Sequence, residues 1–132
     1  MDSIRGHFAL LVKRQLKTLS TGAPFVITRV VSTNQRQKDW LMTVKPLDGK
    51  GTITVYISDI LRVYTWMVSE NGYKWTTLKD IQQVIEKSKI NITQPSYIMA
   101  LIATFDDVDH KTGDAAAIRV VEHHEKFGDP VS

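Results

Sequence analysis

The chain has no cysteine, which excludes a disulfide framework and any thiolate-ligated metal centre. No apolar run approaches the ~20 residues that a membrane-spanning helix requires. The opening segment, Met1-Asp-Ser-Ile-Arg-Gly-His7, lacks the basic-then-apolar order of a secretory signal. These absences lead us to expect a soluble chain in a reducing compartment, with cytoplasmic localisation and no membrane partner. No segment repeats, none is of low complexity, and there is no glycine-rich phosphate loop. No nucleophile–base pair is recognisable either, so an enzymatic role and a cofactor are not expected.

What is present is an ordinary globular composition: 132 residues, 42% hydrophobic and 23% charged. The net charge is only +3, but it is unevenly spread. Residues 1–57 hold nine basic groups against three acidic ones, whereas residues 58–132 hold eight against eleven. A basic first half either faces something anionic or attracts the acidic second half, within one chain or across a dimer.

Periodicity divides the chain at the same place. Ile4, Phe8, Leu11, Val12, Leu16 and Leu19 recur at helical spacing, so residues 3–19 read as a helix, with Thr21-Gly22 and Pro24 ending it. The Ile4/Phe8/Leu11 stripe is a candidate homodimer contact. Residues 25–31, 40–45 and 52–57 read as strands rich in β-branched side chains, with turns between them. The expected architecture of residues 1–57 is therefore a basic helix laid on a three-stranded antiparallel meander.

Residues 58–132 change to helical spacing. Ser58-Asp59 starts a helix that Asn71-Gly72 stops, and Thr77 caps a second over residues 78–87. Thr93-Gln-Pro-Ser96 opens a third, running to Phe105, with Pro95 in the first turn, where its missing N–H costs nothing. An acidic loop follows, Asp106 to Asp114, then Ala115–Val121, read as a returning strand or helix, and a polar tail. The fold class is α+β.

The order of these elements, with Thr77-Leu-Lys-Asp-Ile81 and Ile92-Thr-Gln-Pro-Ser-Tyr-Ile-Met-Ala-Leu101, resembles the winged helix-turn-helix family over residues 58–121. The likeness is to the two-helix unit of LysR-type and MarR-type bacterial regulators. It implies a DNA-binding transcriptional regulator whose third helix enters the major groove of double-stranded DNA. Thr93, Gln94, Ser96 and Tyr97 would then meet bases or phosphates, with Lys87 and Lys89 before them and His110 and Lys111 on the wing. Arg29, Arg36 and Lys38, the last two in a polar hairpin beside Trp40, form a second feature that could grip a nucleic-acid backbone and stack a base.

One feature opposes that reading. The helix from Thr93 to Phe105 holds no Arg or Lys, and Asp106, Asp107 and Asp109 follow it directly, although DNA binders normally present a basic face. The alternative is a non-enzymatic interaction module, such as a mobile-element-encoded inhibitor or adaptor, that engages a protein partner through the same surface. Metal sites are poorly formed. Asp107-Val-Asp-His-Lys-Thr-Gly113 places Lys111 where a calcium loop needs an oxygen ligand, and the adjacent histidines of Glu122-His-His-Glu125 would point about 100° apart on a helix.

Overall fold

The computed structural model describes residues 2–32, 40–47, 49, 51–72, 74–88 and 95–121. Helix α1 (Asp2–Leu10) is shorter than its apolar period suggests. Lys13 adopts φ 71°, a left-handed conformation that cannot continue a right-handed helix. Its N–H instead donates to the Ile27 carbonyl at 2.8 Å. Leu16 therefore falls in a short strand, β1 (Gln15–Lys17), and Leu11, Val12, Leu16 and Leu19 reach the core from turns and strand rather than from one helical stripe.

Strands β2 (Pro24–Ser32), β3 (Trp40–Pro46) and β4 (Ile53–Tyr56) follow. The sheet is an antiparallel meander in the order β1-β2-β3-β4, with four strands where three were expected. The pairing of β2 with β3 shifts between Ile27 and Arg29, which leaves Thr28 as a bulge. Thr28 Oγ1 donates to the Thr43 carbonyl at 3.1 Å. The extra residue inverts the alternation: Ile27 and Val30 face the core, and Arg29 faces solvent.

Helix α2 (Ile57–Trp66) begins directly after β4 and runs into a π-helical turn, Met67–Asn71, which Gly72 ends at φ 62°. Strand β5 (Thr76–Thr77) leads into α3 (Leu78–Ser88). The junction is a reciprocal cap, in which the Asp80 N–H donates to Thr77 Oγ1 (3.2 Å) and the Thr77 N–H donates to Asp80 Oδ2 (3.0 Å). Helix α4 spans Pro95–Ile102, strand β6 Val108–Lys111 and strand β7 Ala117–Val120, with a 3₁₀ turn at Gly113–Ala115 between the last two. These strands form a second antiparallel sheet, ordered β5-β7-β6. The acidic stretch after α4 is thus largely one arm of a hairpin. Among the described residues no helix is long and apolar enough to cross a membrane.

Residues on both sides of position 57 share one hydrophobic cluster, including Phe8, Phe25, Ile27 and Met42 from one side and Ile60, Ile98, Leu101 and Ile118 from the other. Phe8 is fully buried, its ring 5.7 Å from that of Phe105. Phe8, the middle residue of the Ile4/Phe8/Leu11 stripe, is thus consumed inside one chain. Phe8→Ala should therefore cost roughly 3–5 kcal/mol in urea unfolding, the usual range for a truncated core aromatic. A dimer-forming Phe8 would instead make the unfolding midpoint depend on protein concentration in the wild type and not in the variant.

Candidate nucleic-acid interface

Helix α4 is the element expected to present side chains to DNA, and from Tyr97 onward its side chains are turned inward. Tyr97, Ile98, Met99, Ala100, Leu101 and Ile102 are all buried. Helices α2 and α3 pack on it, as does β7. From the first sheet Phe25 meets the Tyr97 ring edge-on at 5.1 Å. Tyr97 is 8% exposed and belongs to the core, so its expected role at bases is corrected here. A helix that is apolar on every side has no face left for a groove. Ser96 is half-buried at the start of α4. Lys89, Thr93 and Gln94 lie outside the described residues, as do Arg36 and Lys38.

The acids that follow α4 are largely engaged. Asp107 is buried, and Tyr64 donates its hydroxyl to Asp107 Oδ2. Burial above all, then the hydrogen bond and charge of Asp107, hold the Tyr64 phenol well above the ordinary tyrosine range. Asp109 lies 3.6 Å from Arg119, and its Oδ1 accepts the His110 N–H at 2.9 Å. Neither carboxylate confronts an approaching phosphate unmatched.

Two basic side chains, Lys111 and Arg119, meet on the second sheet. In the register of β6 and β7, Asp109 faces Arg119 and Lys111 faces Ala117, and alternation puts all four on the face turned from the core, where Ala117 is buried beneath its neighbours. Trp75, just before β5, falls in line with Arg119. Lys111 Nζ sits 4.3 Å from the Trp75 ring centroid, and the Arg119 guanidinium carbon 4.5 Å from it. Such cation–ring contacts are each worth about 0.5–1 kcal/mol at an exposed site, enough to hold both charges over the sheet. Between Thr77 and Lys111 the small Ala117 leaves a hollow. The result is a cleft of about 370 Å³, floored by Ala115–Ala117, walled by Trp75, and rimmed by Lys79, Lys111 and Asp114.

Of the expected site residues, His110 and Lys111 are exposed on this hairpin, but they point to opposite sides of it. Lys87 is exposed elsewhere, on a groove of about 440 Å³ between α2 and α3 that also holds Arg62, Trp66, Glu70 and Asp80. Trp75 and Arg119 were not singled out from the sequence. Their signal was the spacing of Trp75 one residue before a cap strand, and of Arg119 in an alternating strand after the Ala115-Ala-Ala117 run.

No family model, curated protein or solved structure matches this chain.

Two measurements check this assignment of side chains. Tyr97→Phe keeps the ring in its packing and should leave any nucleic-acid affinity unchanged. Tyr64→Phe should cost on the order of 1–3 kcal/mol at neutral pH, because buried Asp107 loses a donor. A phenol raised above its unfolded value stabilises the fold fully below about pH 10 and less as pH rises further. The variant should therefore show a shallower loss of stability above that pH than the wild type in alkaline denaturant titrations. An unchanged slope would contradict the buried pair.

Proposed function

We propose that residues 57–120 are a winged-helix unit and that the chain is a DNA-binding regulator that docks through its wing and small sheet, not through α4. The order helix, short strand, helix, helix, hairpin, with β5 beside β7, supports the unit. The observation that carries the function is the grouping of Lys111 and Arg119 over Trp75, with Lys79 on the rim of the adjoining cleft. Cations fixed over an aromatic are preorganised for phosphate, and they lose little side-chain freedom on binding. The role needs no chemistry: occupancy of DNA is the output.

A second reading has one observation in its favour. Burial of α4 removes the helix that winged-helix regulators place in the major groove, which suits a module that holds a protein partner. The α2/α3 groove, with Arg62 and Lys87 against Glu70 and Asp80, is the surface such a partner would meet.

Fluorescence anisotropy with a labelled duplex across a salt series separates the two. The DNA reading requires affinity that falls steeply with salt, and a Lys79→Ala/Lys111→Ala variant whose log–log salt slope is shallower by about 2. Absent or salt-insensitive binding to any duplex, together with a stoichiometric protein complex that retains no nucleic acid, would establish the alternative in its place.

A further inference from the structure

The outer face of the four-stranded sheet is a second surface, distinct from the wing. None of the strands β1 to β4 contains an acidic residue. The face turned from the core carries Gln15, Lys17, Arg29 and Lys45 as exposed side chains, one cation on each of the first three strands. None of the three cations makes an ion pair with a described residue.

Their placement follows from the pairing. Val26 of β2 faces Gln15 on one side and Lys45 on the other. Arg29 lies in the next row with Thr43 and Thr54, and Tyr56 in the row beyond, with Leu41 and Val31. Lys17 lies one row to the other side, opposite Pro24. Rows on one face repeat about every 7 Å and strands lie about 4.8 Å apart, so the three cations form a triangle with sides of roughly 8, 12 and 15 Å, the longest from Lys17 to Arg29. The bulge at Thr28 is what turns Arg29 to this side. Without it, alternation from Ile27 would send Arg29 into the core and Val30 into water.

A sheet face whose only charges are basic, and whose cations pair with no acid among the described residues, is complementary to a polyanion. The row of Val31, Leu41 and Tyr56, each half-buried, selects among polyanions. An aromatic ring beside aliphatic side chains offers a stacking platform for unpaired bases, whereas a duplex keeps its bases stacked inside. We propose that the outer face of β1–β4 binds single-stranded nucleic acid, with Lys17, Arg29 and Lys45 on the phosphates and Tyr56 against a base. The proposal shares a ligand class with the wing reading but uses different residues, so each can fail without the other.

The test uses the full chain and three proteins: wild type, Lys17→Glu/Arg29→Glu/Lys45→Glu, and the wing variant Lys79→Ala/Lys111→Ala. Labelled oligodeoxythymidine, a labelled duplex and phosphatidylglycerol vesicles serve as probes, and thermal unfolding checks the fold. Because all three sheet cations are exposed, the sheet variant should melt as the wild type does. It should bind oligodeoxythymidine at least about tenfold more weakly at low salt, with a clearly shallower salt slope. A Lys17→Arg/Lys45→Arg variant should bind as the wild type does, which excludes a fault in folding as the cause. Tyr56→Ala should weaken the single strand more than the duplex. Loss of oligodeoxythymidine binding in the sheet variant with none in the wing variant upholds this proposal, and unchanged duplex binding by the wing variant removes the wing reading. The proposal is overturned if the sheet variant binds like the wild type, if loss is confined to the wing variant, or if duplex is the preferred sheet ligand. Wild-type binding to the vesicles but to neither nucleic acid would overturn both readings.

Discussion

Tyr97 meets Phe25 edge-on, and that contact ties the central helix of the second half to the sheet of the first. The rest of the structure depends on it. With α2 and α3 on one side and the sheet on the other, α4 buries six consecutive residues. A fully buried aliphatic or aromatic side chain contributes about 1.5–3 kcal/mol, so this helix is a principal source of stability. The same packing forbids it from leaving to enter a groove. Its small residue, Ala100, is buried with the rest. Past its end, Thr104 donates its hydroxyl to the Leu101 carbonyl at 2.6 Å, so His7 Nε2 is left to donate to Thr104 at 2.8 Å. Helix α1 is pinned across the α4 terminus by that bond and by the Phe8 and His7 rings against Phe105.

The surfaces proposed for binding are accordingly those of the sheets. Each sheet has one face spent on the core and one left for water, and both water faces gather cations. On the small sheet they are organised by Trp75, and on the large one by a bulge that reverses the facing of one arginine. The acidic run after α4, which in the sequence opposes any contact with DNA, loses much of its force once folded. Asp107 is turned inward to Tyr64, and Asp109 is matched by Arg119. The turn between β6 and β7 is also tied to the first half, since the Gly113 N–H donates to the Leu19 carbonyl at 2.8 Å.

Much of this was legible in the sequence. The strands over residues 25–31 and 40–45, the helix stopped at Gly72 and the Thr77 cap follow from alternation, φ preference and side-chain hydrogen bonding, all of which are local. The misreadings came where a local pattern admitted two structures. Ile4 to Leu19 satisfies helical spacing, yet the left-handed turn at Lys13 hands its second half to a strand. Tyr97-Ile-Met-Ala-Leu-Ile102 is apolar all round, which by itself means burial. The Thr-Gln-Pro-Ser start suggested exposure, and packing decided for burial. The Trp75 cluster was illegible because it unites residues far apart in the chain through sheet register.

The claim that α4 is common to both halves is tested most directly by native-state hydrogen exchange. The amides from Met99 to Ala103 should open only with the β2 and β3 amides around Ile27 and Met42, at the free energy of global unfolding. Exchange of α4 at a markedly lower free energy, with β2 and β3 still protected, would show a helix that detaches from the sheet, and would contradict the account.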